Sequence, residues 1–135
     1  MPAKAGTQSS YLTHKRTAIM TKQQIFTQEE CRSRIRKTKE QMDRQGIELL
    51  LVTDPANMNY LTGYDGWSFY VHQGVVVSLE AEHPLWFGRQ QDLNGARLTT
   101  WLPDEDLFGY PDEYVQSRYT HTMRWVSDLL RQKGW

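Results

Sequence analysis

The sequence holds a single cysteine, Cys31, among 135 residues. One thiol closes no internal disulfide and builds no thiolate metal site by itself. Cys31 falls on the apolar stripe of an expected helix, where it reads as a small buried hydrophobe rather than a nucleophile. An excess of charge is missing too. Sixteen basic and sixteen acidic side chains cancel, so no net field draws the chain to a polyanion, and nucleic acid is not an expected partner. No apolar run approaches the roughly 20 residues a membrane span needs, and no signal-peptide core precedes a small-residue cleavage site. The expectation is a cytoplasmic protein without a membrane partner. The glycines form neither Gly-x-Gly-x-x-Gly nor Gly-x-x-x-x-Gly-Lys, which removes the phosphate-cradling loops. His14, His72, His83 and His121 are scattered, with no His-x-x-x-His pair and no carboxylates clustered beside them, so no metal site is expected. Asp65, Ser68 and His72 are the residue types of a nucleophilic triad, but there is no Gly-x-Ser-x-Gly elbow and no glycine-rich partner loop for an oxyanion. No catalytic residue is assigned.

What remains fits one domain. Residues 1–25 carry Lys4, Lys15, Arg16 and Lys22 without an acid, which reads as a flexible tail ahead of a domain over 26–135. Thr27 and Glu30 form a capping box, followed by Cys31, Ile35, Thr38 and Met42 at helical spacing and a stop at Gly46, so a helix is expected over Thr27 to Gln45. The aliphatic run from Leu49 to Val52 within Ile47 to Thr53 reads as an interior strand with both faces covered. Gly74 to Leu79 and Leu85 to Phe87 suggest an antiparallel hairpin. Arg89 to Thr99 suggests a helix weakened by Gly95, Asp106 to Tyr110 a short strand, and Val115, Tyr119, Thr122, Val126 and Leu129 one face of a last helix ending at Gly134. Alternating helices and strands make a three-layer α/β domain with a mixed sheet flanked by helices.

The chain is organised around Asp54 to Gln73. Asp54 and Pro55 start a short helix that Gly63 stops. Tyr64, Asp65, Trp67, Ser68, Phe69, Tyr70 and His72 then fall within nine positions. Basic residues are not interleaved with these rings, so stacked nucleic-acid bases are not favoured. Aromatic faces are negative and suit a small cationic or zwitterionic ligand, with Asp65 able to hold a positive group; rings that plug a core or a subunit interface are the alternative.

Gly46 to Tyr64, with Asp54, Pro55, Asn57, Tyr60, Leu61, Thr62 and Gly63, resembles the N-terminal domain of the creatinase/prolidase, or pita-bread, family over nearly everything from Phe26 to Trp135. The stretches Asp65 to Gln73, Trp86 to Arg97 and Gly109 to Asp112 are similar to ectoine hydrolases, which open the ring of a cyclic amidine solute. The resemblance implies a ribonuclease-H-like sheet of about six strands. It also implies a homodimer and a separate catalytic domain, not contained in these residues, with a two-metal or a metal-free site. No cofactor is implied for this chain. The function implied is substrate enclosure and assembly, with Tyr64, Asp65, Trp67, Phe69, Tyr70, His72 and Arg89 as substrate-binding residues and Asp92 as the partner of Arg89. The same domain of an Xaa-Pro dipeptidase or aminopeptidase, and a free-standing small-ligand-binding domain, stay open as alternatives.

Overall fold

The computed structural model describes residues 22–135. Thr27 Oγ1 accepts the Glu30 N–H at 3.2 Å and opens α1 (Gln28–Arg44), which buries Cys31, Ile35 and Met42. After it come β1 (Leu49–Val52), α2 (Pro55–Thr62), β2 (Gly74–Ser78), β3 (Leu85–Arg89), α3 (Leu93–Thr99), β4 (Leu107–Tyr110) and α4 (Thr122–Gln132). A single 3₁₀ turn, Gln90–Asp92, replaces the first turn of the helix expected from Arg89. No helix among the described residues is long and apolar enough to cross a membrane.

The strands lie in sequence order. β1 and β2 run antiparallel, β2 and β3 form the expected hairpin, and β3 pairs with β4 in parallel. The described sheet thus has four strands, not about six. Side chains alternate across it. Val75, Val77 and Trp86 join Cys31, Ile35, Met58, Leu61 and Ala96 in one core, beneath α1, α2 and α3. Val76, Leu85, Phe87 and Tyr110 join Val126 and Leu129 in a second, beneath α4. These are the three layers read from the alternation of elements.

Two further expectations fail. Among the described residues β1 is an edge strand, not an interior one. Leu50 and Val52 pack on the first core, but Leu49 and Leu51 are 38% and 43% exposed on the α4 side, because α4 packs on side chains of β2, β3 and β4 and does not extend over the edge. The last helix begins at Thr122, not Val115. Gln116 takes a left-handed conformation (φ 48°) that breaks any helix there, and His121 Nδ1 accepts the Met123 N–H at 3.1 Å to start α4. Val115 packs on the second core from a loop, and Tyr119 is almost fully exposed.

Both ends of the described stretch are tied down. Gln23 N–H donates to the Leu98 carbonyl at 2.7 Å, and Lys22 Nζ to those of Leu102 and Thr100 at 2.6 and 3.1 Å. The rest of the expected tail lies outside the described residues. Past α4, the Trp135 N–H donates to the Leu130 carbonyl at 2.8 Å and its indole packs on the second core. Arg34 binds α1 to α2: its guanidinium lies 4.1 Å from the Phe26 ring and 4.6 Å from the Tyr60 ring, donates to the Tyr60 carbonyl at 3.0 Å and pairs with Glu30. A planar delocalised cation suits such a slot between two rings.

Candidate functional site

The aromatic loop is braced from below. Asp54 Oδ2 accepts the Asn57 N–H at 2.9 Å, which sets α2 at its start, and Gly63 (φ 78°) turns the chain out of it. That turn sends Tyr64 inward. Its side chain is 3% exposed, its ring lies 5.2 Å from Trp86, and its hydroxyl donates to Gln73 Oε1 at 2.9 Å. One buried hydrogen bond therefore joins the two ends of the loop. Burial, with a smaller contribution from Asp92, pushes the Tyr64 hydroxyl up to about 12. Gly66 lets the loop cross this side chain, since a Cβ there would lie 2.1 Å from the Tyr64 hydroxyl. Trp86 in turn lies across Gly88, where a Cβ would come 2.4 Å from the indole, and Gly88 faces Gly109 in the β3–β4 pair. Tyr64 was expected in the pocket wall. The structure instead buries it as a brace beneath the loop, because the left-handed turn at Gly63 aims it at the core.

Above the brace the other rings point outward. Trp67 is 73% exposed, Phe69 81% and Tyr70 57%. Trp67 and Phe69 tilt against each other with centroids 5.7 Å apart. Ser68 Oγ donates to the Val71 carbonyl at 2.7 Å and accepts the Val71 N–H at 3.2 Å, so this hydroxyl is a staple within the loop. The His72 carbonyl accepts the Tyr110 hydroxyl at 2.6 Å, and its exposed ring meets His121 edge-on at 4.8 Å. Asp65 is exposed, anchored through its N–H to Thr99 Oγ1 at 3.2 Å. Arg89 forks onto Asp112 through Nε and Nη2 at 2.7 and 3.0 Å, not onto Asp92. The guanidinium holds the Asp112 carboxyl below the usual carboxylate range, and Asp112 in turn raises Arg89.

A cleft of about 470 Å³ opens beside Trp67 and Phe69, closed by Thr53, Pro55, Phe87 and Met123. A smaller recess of about 130 Å³ lies between Tyr70, His72, Tyr110, Tyr114 and His121. Met123, His121 and Asp112 come from far along the chain, and no local signal in the loop pointed to them. Asp112 alone stood inside a stretch already singled out, Gly109 to Asp112. A larger cavity, about 570 Å³, lies elsewhere, between α1 and the β2–β3 turn. Arg32, Arg36 and Lys39 there face Glu40, Asp43 and Glu82, so its walls offer no net charge to a ligand. Among the described residues no three His, Cys, Asp or Glu side chains stand close enough to share a metal ion. What the loop can do chemically is offer ring faces to a cation or an apolar surface, with Asp65, His72 and Arg89 at the margin.

A four-stranded mixed sheet between helical layers, with such a loop after its second helix, marks a domain class. The Creatinase/Prolidase N-terminal domain family matches residues 34–134, and the chain belongs to that family. It is 47% identical over 111 residues to the ectoine hydrolase of Halomonas elongata, a match covering 82% of this chain and 28% of that protein. It is 44% identical over 109 residues to an uncharacterized hydrolase/peptidase of Sinorhizobium fredii, covering 81% of this chain and 28% of the other. The chain thus spans little more than a quarter of the length of these relatives. Among solved structures, the N-terminal domain of an Xaa-Pro dipeptidase from Lactobacillus brevis superposes with a TM-score of 0.60 at 16% identity, covering 75% of this chain and 69% of the other. At that identity the likeness is one of fold.

Proposed function

We propose that this chain is the non-catalytic N-terminal domain of a cytoplasmic ectoine-opening hydrolase, and that its aromatic loop forms one wall of a substrate pocket. A separate catalytic domain, and a second subunit of the same enzyme, complete that pocket. The observation that carries the reading is the exposure of Trp67, Phe69 and Tyr70 on a loop held rigid at both ends. Large rings left in water forgo about 1.5–3 kcal/mol each of burial, and a cluster of them marks a contact surface. Ectoine is a zwitterion with a delocalised amidinium, which has little hydration to lose against a ring face. Asp65 suits its cationic side. Arg89 suits its carboxylate, provided that carboxylate displaces Asp112 from the guanidinium fork.

In an intact enzyme carrying this domain, Trp67→Ala raises the KM for ectoine roughly five- to thirty-fold, the equivalent of about 1–2 kcal/mol of ring–cation contact. An unchanged KM removes the loop from the pocket. An enzyme that cleaves Xaa-Pro dipeptides and leaves ectoine untouched replaces the substrate assignment with the peptidase one. Titration of the 135-residue chain with ectoine yields no binding heat, since the wall alone lacks the rest of the pocket.

A further inference from the structure

We infer that the Arg89–Asp112 ion pair is an exchange site for a zwitterion: the ligand's carboxylate takes the guanidinium fork, and the Asp112 carboxylate it displaces takes the ligand's cation. This rests on the pocket reading above only in placing a ligand against this face. It adds a residue, Asp112, and a rule of selection.

The pair opens from one side. Arg89 closes β3 in register with Tyr110 of β4, and its side chain is 18% exposed, so its surroundings fix the guanidinium. Asp112 follows β4 across Pro111, begins a single 3₁₀ turn, Asp112–Tyr114, and has a side chain 66% exposed. Among the described residues its carboxylate bonds to Arg89 alone, through Nε and Nη2 at 2.7 and 3.0 Å. A short side chain in water changes rotamer without moving the backbone. An ion pair this open to solvent is also worth little net, so a ligand that supplies better partners displaces it. The position suits a ligand of the aromatic loop. Tyr110, level with Arg89, and Tyr114, in the same turn as Asp112, line the 130 Å³ recess together with Tyr70 and His72.

Charge counting decides what can enter. A plain carboxylate matches the planar, two-pointed fork, but by taking it leaves Asp112 unpaired beside a second negative charge, and like charges side by side oppose binding. A plain cation that takes Asp112 leaves Arg89 unpaired in the same way. A zwitterion inserted between the two leaves every charge with an opposite neighbour, Arg89 with the ligand's carboxylate and Asp112 with its cation. One ion pair becomes two, and the net charge of the site stays zero. Selection for zwitterions over simple anions and simple cations follows from the internal pair itself.

The test is the sign of two effects of one substitution, in an intact enzyme that carries this domain. Asp112→Asn removes the cation's partner and unties Arg89. It raises the KM for a zwitterionic substrate, ectoine or an Xaa-Pro dipeptide, whichever the enzyme turns over, by about five- to tenfold. It lowers the inhibition constant of acetate by about threefold or more, with ionic strength held by sodium chloride, because the untied guanidinium accepts a plain anion. Asp112 is exposed, and an unchanged melting temperature confirms that the variant folds. Arg89→Lys keeps the charge, loses the fork and weakens both ligands. If Asp112→Asn weakens acetate as well as substrate, Asp112 is only a brace for Arg89. If it strengthens both, Asp112 is only a plug, and if it moves neither, the pair lies outside the site. Each of these overturns the inference. Trp67→Ala in the same enzyme keeps the two readings apart: a raised KM there with no opposite signs at Asp112 leaves the aromatic wall and removes the exchange site, and the reverse result does the converse.

Discussion

Replacing Tyr64 with phenylalanine tests whether the loop is held by the bond that joins its ends. The change removes the hydroxyl that donates to Gln73 Oε1 and leaves that acceptor on a residue only 6% exposed. A buried acceptor without its donor costs about 1–3 kcal/mol. The pH dependence gives a second, independent magnitude. The folded state raises the Tyr64 hydroxyl from its ordinary value of 10.0 to about 12. The neutral form is the one that folding favours, so its stabilisation is complete below pH 10 and is lost as pH climbs towards 12. Linkage puts the loss at about 1.4 kcal/mol by pH 11 and roughly 2 kcal/mol by pH 12. Tyr64→Phe lacks this titration. Burial also raises Tyr110, which keeps its own alkaline loss in both proteins. Urea unfolding followed by tryptophan fluorescence at pH 8 and pH 11 measures the difference. The variant is the weaker protein at pH 8, and the gap narrows by about 1 kcal/mol at pH 11. Parallel stability curves would refute the account of Tyr64 as a buried, neutral brace.

Two further changes probe the same region. Gly66→Ala pushes a Cβ against a Tyr64 hydroxyl that Gln73 and Trp86 hold in place, and overpacking of this kind costs about 1–3 kcal/mol; an unaltered melting temperature shows instead that the loop yields freely. Asp54→Ala removes the side chain that accepts the Asn57 N–H and costs about 1 kcal/mol, read as a lower urea midpoint with an unchanged slope, whereas Asp54→Ser restores most of it.

The elements legible in the sequence were those whose signals are local. The Thr27 and Glu30 box, the Asp54 and Pro55 start and the stop at Gly63 each act within one helical turn, and α1 and α2 stand where those residues put them. What covers a strand is not local. The aliphatic run of β1 records that it is apolar, but its place at the edge follows from the pairing of distant strands. Val115 and Tyr119 lie one helical turn apart by coincidence: the first packs half-buried from a loop and the second projects into water. Within the site, residue types were readable and directions were not. Tyr64 and Trp67 belong to one aromatic cluster in the sequence, yet one faces the core and the other solvent. The hint was Gly66, a position without a side chain beside the ring that needs its space. The Arg89 partnership is likewise a product of topology. β3 and β4 run in parallel with Arg89 level with Tyr110, which carries Asp112 to the guanidinium and leaves Asp92 behind on the turn.

Gly88 and Gly109 sit level across the parallel strands and leave a bare patch of backbone on one side of the sheet. The Trp86 indole fills half of that patch and the Gln90 side chain the other half, each within 2.4 Å of where a methyl group would stand. The layer between sheet and loop is consequently only one ring deep at this point, and Tyr64 rests directly on it. The depth at which Tyr64 ties the two ends of the loop is therefore set by a side chain that is not there, and a methyl group at Gly88 would drive the Trp86 indole against it.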